Sequence, residues 1–216
     1  MKHLLFLTVA IYLITSNSYA ETGGEPFSVK GERIDITPPA GWKLAWMIGK
    51  PDGEYFAEYI KDGEDVLSWK SGLLLIRRAP YPSADIREQI SKLKAKVADV
   101  GLIQLANQTR EICKGQYVPT AQRVNTFGGL YFSVGGWYCG LVGPNIPYGE
   151  GAYVALIEGK DFIHLIQYSW RPQSEVEVKA SPWAIEENTA TAYLQSIISA
   201  VICDEDKNNC RNPYTR

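Results

Sequence analysis

Short runs of large apolar residues alternate along this chain with polar breaks that carry glycine and proline, and the spacing of the breaks assigns most elements. Ile34-Asp35-Ile36 alternates, and Thr37-Pro38-Pro39-Ala40-Gly41 interrupts it. Trp42 to Ile48 resumes as a strand. Lys50-Pro51-Asp52-Gly53 is a turn in which proline presets one torsion and glycine takes the positive one. Glu54 to Ile60 gives another strand and Lys61-Asp62-Gly63-Glu64 another turn. Gly72 to Arg78, with its Leu-Leu-Leu-Ile run, reads as a buried strand. An antiparallel meander is predicted for this third of the chain.

Ala79-Pro80-Tyr81-Pro82 stops the meander, and Ser83 stands at the N-cap of a predicted helix with Asp85 in its positive first turn. Ile86, Ile90, Leu93, Val97 and Val100 recur at spacings of four and three, one apolar stripe that Gly101 ends. The opposite face, with Arg87, Glu88, Lys92, Lys94 and Lys96, reads as solvated. From Leu102 to Cys113 alternation mixes with polar residues and predicts a strand. Leu130 to Cys139 is aromatic, and Gly135-Gly136 within it marks a bulge or a close backbone approach. Ala152 to Ile157 and Phe162 to Trp170 are strong strands. Between them Glu158-Gly159-Lys160-Asp161 fits a type II′ hairpin with Gly159 at the first central position. Ser181-Pro182 opens a short helical lead-in to a last helix from near Asn188, carrying Tyr193, Leu194, Ile197, Ile198, Val201 and Ile202. This order predicts an α+β fold, a mostly antiparallel sheet of about six to eight strands covered by two helices, one on each face, and not a doubly wound parallel sheet.

The first twenty residues change the picture of where the chain works. Met-Lys-His, an apolar run from Leu4 to Leu13, and Ser18-Tyr19-Ala20 before Glu21 form the pattern of a secretory signal peptide, cut after Ala20. The run is too short for a permanent span, and no Cys follows the cut for a lipid anchor. Residues 21–31 are expected as a flexible N-terminal arm, and residues 32–216 as a single domain. The protein is expected to be exported, periplasmic or secreted. Net charge is -2, or -3 once Lys2 leaves with the leader. Such a balance gives no general pull toward nucleic acid.

Four cysteines, Cys113, Cys139, Cys203 and Cys210, lie beyond the leader. An even count in an exported chain predicts two disulfides. Of the three pairings, Cys113–Cys139 and Cys203–Cys210 are favoured, because the first pair closes two strand-like runs and the second flanks a polar loop. A zinc site is disfavoured, since no Cys-x-x-Cys occurs and one histidine, His164, follows the leader. No metal and no cofactor is expected.

Candidate chemistry is sparse. His164 lies mid-strand on the side of Phe162, Ile166 and Tyr168, without a nucleophile elbow, and reads as a partly buried residue bonded to its neighbours. Glu54 and Glu58 share a strand face with Phe56 and read as solvated. Asp204-Glu205-Asp206 lacks the spacing and glycine of a calcium hand. Six Trp and thirteen Tyr supply aromatic surface. We place the binding candidates at Trp137, Tyr138, Tyr148 and His164, with Gly143 to Gly151 as a binding loop. A cavity among Trp42, Trp46, Trp137 and Tyr138 is a further reading.

Pro39-Ala40-Gly41-Trp42, followed by a meander, a helix, a second meander and a closing helix, resembles the PsbP-like fold, which includes the DcrB-type periplasmic proteins. Glu58-Tyr59-Ile60 through Gly63-Glu64 to Trp69 also looks like a pattern in small exported bacterial proteins. The resemblance implies a fold that binds or stabilises partner proteins and is rarely catalytic. The two disulfides are not general to it. The expected function is therefore a non-catalytic protein-binding or accessory module of the cell envelope, with an unknown protein partner. The alternatives are a hydrolase with an unrecognised site and a secreted inhibitor or effector.

Overall fold

A computed structural model of the chain describes residues 26–127, 130–181, 183–204 and 210–211. The expected leader and residues 21–25 of the expected arm lie outside them, as do Pro182 and the Glu205-Asp206 part of the acidic tail.

In chain order the elements begin with β1 (Arg33–Asp35), β2 (Trp42–Gly49), β3 (Tyr55–Lys61) and β4 (Leu73–Pro80). Then come helices α1 (Ala84–Lys92) and α2 (Val97–Ile112) and strands β5 (Tyr117–Pro119), β6 (Arg123–Phe127), β7 (Leu130–Cys139), β8 (Glu150–Glu158) and β9 (Phe162–Trp170). Helices α3 (Glu175–Ala180) and α4 (Glu187–Ser199) and strands β10 (Val201–Cys203) and β11 (Cys210–Arg211) close the chain. The main sheet runs β2-β3-β4-β9-β8-β7, with β5 and β6 sharing the outer edge of β7, and every pairing in it is antiparallel. A small antiparallel sheet, β1-β10-β11, brings the two ends of the described chain together.

The sheet is buried on both faces, which is why its central strands are nearly continuous apolar runs. One face sets Leu74, Ile76, Ala155, Ile157, Ile166 and Tyr168 against Tyr193 and Ile197 of α4 and Ile34 and Ile202 of the small sheet. The other sets Ala152, Val154, Leu156 and Leu165 against Ala98, Leu102 and Leu105 of α2. The α+β prediction, with helices on opposite faces, matches this architecture.

The helical segment differs from its prediction. The stripe from Ile86 to Val100 is not one helix: α1 ends at Lys92, and Lys94 turns left-handed at φ 56°. Its stop is a Schellman arrangement, with the Ala95 amide donating to the Ile90 carbonyl. Leu93, an expected stripe residue, is exposed. Residues 102–113, read as a strand, are the body of α2. Gly101 does not end a helix but lies inside one, where a Cβ would come within 3.0 Å of the Leu156 side chain. The glycine lets α2 pack closely on the sheet.

Other corrections are local. Gly135-Gly136 makes no bulge, since the β7–β8 register is unbroken. A Cβ on Gly136 would lie 2.3 Å from the Ala152 carbonyl oxygen, so the close-approach reading holds. The β8–β9 hairpin forms, but the Gly159 amide donates to the Phe162 carbonyl, so Lys160 and Asp161 form the tip and Gly159 precedes it. The expected helical lead-in after Ser181 is not seen at residues 183–186, which form a turn before α4; a helix instead precedes Ser181, because Ser174 caps α3 by accepting the Glu177 amide. Val201 and Ile202 leave α4 for β10, where Ile202 faces Ile34.

Both expected disulfides are present, Cys113–Cys139 and Cys203–Cys210. The first joins the end of α2, not a strand, to the end of β7. Replacing Cys113 and Cys139 together by Ala is expected to lower unfolding free energy by about 3 kcal/mol, and Cys203 with Cys210 by about 2 kcal/mol, from the lengths of the closed loops. Urea titrations of the two variants test that order; equal losses would contradict the loop-length account.

Candidate functional site

Three places on this scaffold merit attention. The first is the loop after β7, where two of the expected binding residues meet. Its root is fixed by the Cys113–Cys139 bridge, by the Lys114 amide on the Leu141 carbonyl and by the Gly140 amide on the Gln116 carbonyl. The Tyr138 hydroxyl donates to the Tyr148 carbonyl at 2.5 Å, tying the far end of the loop to the sheet. Gly149 takes φ 81°, and a Cβ there would strike the Cys139 carbonyl oxygen. The loop is irregular but held, and it presents exposed Leu141 and half-buried Tyr148.

Trp137 is not part of that loop. It is buried on the opposite sheet face, beside α2, where it lines a hollow of about 220 Å³ with Leu102, Ala106 and Pro119. Nor do Trp42, Trp46, Trp137 and Tyr138 share a cavity. Trp42 and Trp46 stand on β2, at one edge of the sheet order, and Trp137 and Tyr138 on β7 near the other, so the four-aromatic reading is overturned.

The second place is around His164, which is fully buried on β9, the strand next to β8 on the side away from β7. Its Nε2 lies 2.9 Å from Glu32 Oε1. The Glu32 carboxylate also accepts the amides of Lys160 at 2.6 Å, Phe162 at 3.2 Å and Asp161 at 3.3 Å. Arg211 Nη2 approaches at 3.6 Å. Gly159 is required here, because a Cβ would sit 2.1 Å from Glu32 Oε1. Burial alone would raise the Glu32 pKa, but the His164 hydrogen bond and the hairpin amides outweigh it and hold the carboxyl below its ordinary range. Burial lowers the His164 pKa more than Glu32 raises it. The pair is therefore carboxylate and neutral imidazole, with Nε2–H donating to Glu32. His164 Nδ1 has no hydrogen-bond partner among the described residues.

Arg78, also fully buried, completes this cluster. Its guanidinium donates to the carbonyls of Gly53, Lys30, Glu32 and Pro51 and lies between the Tyr55 and Phe162 rings. It is a buried cation satisfied by main-chain oxygens. It ties residues 30–32 to the sheet, and Phe27 packs edge-on against Tyr55. A group so enclosed has no path to substrate. The arrangement organises the chain ends and offers no general base. Glu54 pairs with Arg77, whereas Glu58 is half-buried, and burial with the nearby Glu150 charge pushes its pKa up to about 6.

The third place went unread in the sequence. Between α4 and the segment before β2 runs an open groove of about 730 Å³. Trp42 and Tyr193 form its floor, and Asn188, Thr189, Gln195 and Ser199 project from one side of α4. Gly72, at φ 129°, keeps that floor closed, because a Cβ would meet the Tyr193 hydroxyl at 2.3 Å and Trp42 at 3.0 Å. The signal was present as polar residues on one side of α4, Asn188, Gln195 and Ser199, at spacings of seven and four. Among the described residues no cluster of His, Cys, Asp and Glu is placed to hold a metal ion. No helix of them is long and apolar enough to cross a membrane.

No protein-family model matches the chain, and no curated protein matches it. Among solved structures, the chain is similar to the Ran-binding protein Mog1p of Saccharomyces cerevisiae, with a TM-score of 0.51 and 12% identity over 85% of this chain and 100% of that one. It is also similar to cyanobacterial PsbP (CyanoP) from Synechocystis sp. PCC 6803, with a TM-score of 0.39 and 13% identity over 83% of this chain and 95% of that one. At such identity the Mog1p likeness establishes a shared fold.

Proposed function

We propose that this chain is an exported binding module that holds a protein partner through the braced loop after β7 and performs no covalent chemistry on it. The observation that carries the reading is the loop itself. Its irregular backbone is fixed by a disulfide, the Tyr138 bond and Gly149, so it offers Leu141 and Tyr148 in one conformation. A preformed loop loses little freedom on binding, and loops on rigid scaffolds commonly carry recognition. Trp137, buried next to Tyr138 on β7, supports it from the core in this reading, whereas His164 belongs to the Glu32 cluster at the other end of β8.

The two disulfides are compatible with an oxidising compartment. With the leader pattern of residues 1–20 they favour export to the periplasm or beyond. The name of Mog1p records protein binding on this fold. DcrB-type kinship, drawn from Pro39-Ala40-Gly41-Trp42 and the element order, belongs to the same proposal.

A photo-crosslinking residue at position 148, in cells exporting the full chain, tests the reading. A discrete adduct that Leu141→Asp abolishes is the expected result. In the same preparation, native mass spectrometry should show a chain starting at Glu21 and lacking four thiol hydrogens. A product starting at Met1, no adduct at 148, or turnover of ester, peptide or glycan substrates by the purified protein would overturn it.

A further inference from the structure

We infer that the groove between α4 and Trp42 is a binding site for an uncharged oligosaccharide. It lies apart from the loop proposed for the protein partner and stands on its own observations.

Charge selects the ligand class first. Charged residues make up 21% of the chain, so about two of the eleven described residues that line the groove would carry charge if drawn at that frequency, and none of the eleven does. Tyr193 adds no charge, since a phenol is neutral at pH 7 and burial pushes its pKa further up, to about 12. Phosphate and carboxylate ligands are ordinarily held by guanidinium or ammonium groups, and amines by carboxylates. The described lining residues offer neither, and the Glu64 carboxylate beside them is taken up by the Ser71 hydroxyl and the amides of Lys70 and Ser71.

The polar groups it does offer both donate and accept. Asn188 and Gln195 present amides, and Thr37, Thr189 and Ser199 present hydroxyls. Each is matched by a sugar hydroxyl, which also donates and accepts. The side chains of Asn188, Gln195 and Ser199 are exposed at their positions on α4; the Ser199 hydroxyl donates to the Ser196 carbonyl at 2.8 Å and keeps its oxygen as an acceptor for a ligand. A lipid tail would leave them without partners in an apolar contact, at a cost for each.

The floor supplies the other half of sugar recognition. A pyranose has hydroxyl edges and apolar C–H faces, and an aromatic ring matches such a face. Trp42 is half-buried, backed by Tyr168 at 6.3 Å between ring centroids. Tyr193 stacks on that same Tyr168 ring at 4.7 Å, and its hydroxyl donates to the Ser71 carbonyl. The platform is therefore set before a ligand arrives. From Asn188 to Ser199 the wall rises about 17 Å at the helical rise per residue, enough for several rings in a row. The volume falls in the range of small-molecule clefts.

The test is an amide and indole NMR titration of the oxidised protein with chitotetraose and maltotetraose as neutral probes. Tetragalacturonate and tetralysine serve as charged controls. At least one neutral probe should shift the Trp42 indole N–H and the α4 amides saturably, with Kd below about 10 mM. That Kd should change less than about twofold as NaCl rises from about 20 mM to about 500 mM, since no ion pair is screened. Trp42→Ala should weaken binding about tenfold or more, as loss of a central aromatic contact does. Trp42 also touches the core, so Gln195→Ala is the second variant. It sits on an exposed helix position, should leave the fold unchanged, and should weaken binding about threefold or more through a lost polar contact. Silence of Trp42 toward both neutral probes at about 10 mM, or tighter binding of a charged control, would overturn the inference. Neither result bears on crosslinking at position 148, so the two proposals fail separately.

Discussion

Glu32→Ala is expected to lower the unfolding free energy at pH 7 by about 3–5 kcal/mol, the range for removing one partner of a buried charged group. The reason is the number of donors left behind. The amides of Lys160, Asp161 and Phe162, the imidazole N–H of His164 and the Arg211 guanidinium all converge on that one carboxylate. The alanine methyl replaces none of their bonds, and each buried donor left unmatched costs about 1–3 kcal/mol. Water entry at the hairpin tip relieves part of this, so the sum is not reached. Glu32→Gln keeps one acceptor oxygen and should cost less than Glu32→Ala. Urea titration with both disulfides intact reads the difference. A loss under about 1 kcal/mol for Glu32→Ala would mean that the cluster is solvated in solution.

That cluster also marks the limit of what the sequence reveals. The strands from Trp42 to Arg78 and from Leu130 to Trp170 are legible because each is a run of apolar residues between turn residues, and local pattern suffices. Both disulfides are legible because four cysteines allow only three pairings. Residues 102–113 are not, since a helix lying on a sheet by way of Ala98, Gly101, Leu102 and Leu105 needs small residues that carry little hydrophobic signal. Lys94 hides the end of α1 because that left-handed position is ordinarily held by glycine. Glu32 and Arg78 escape for another reason. They are charged, and charged residues are read as solvated unless a partner is seen. Their partners are 132 residues away at His164 and spread over main-chain carbonyls, which no local pattern records. The groove combines both failures, for α4 reads as a buried helix while Trp42 lies far from it in sequence. The loop after β7 was found from its composition, but the bond that holds it, Tyr138 to Tyr148, was not.

The acid limb of the stability curve should carry a step whose origin is divided between the two faces of the sheet. His164 has an ordinary value of 6.5 and lies lower when folded. The unfolded chain therefore takes up a proton that the native state refuses. Its contribution is complete above pH 6.5 and is lost as pH falls, at up to about 1.4 kcal/mol per pH unit for one proton. Glu58 has the opposite sign. Its ordinary value is 4.5 and its folded value about 6, so between these the native state binds the proton first and gains stability as pH falls. Glu150, raised by burial against the pull of Arg171, acts in the same direction. Glu32, held below 4.5, adds its loss only beneath that value. Unfolding free energy should thus decline from pH 6.5 to about 6, halt and turn upward between about 6 and 4.5, where two carboxyls come to outweigh one imidazole, and fall again below, where Glu32 and His164 act together. Chemical denaturation at half-unit pH intervals measures the curve. In Glu58→Gln/Glu150→Gln the halt should vanish and the decline run on without a break. In His164→Gln the first decline should vanish, and the native state should instead gain stability from about 6 to 4.5. Curves of the same shape for the wild type and both variants would show that these carboxyls and this imidazole are solvated, and would remove the buried cluster as the feature that joins the chain ends to the sheet.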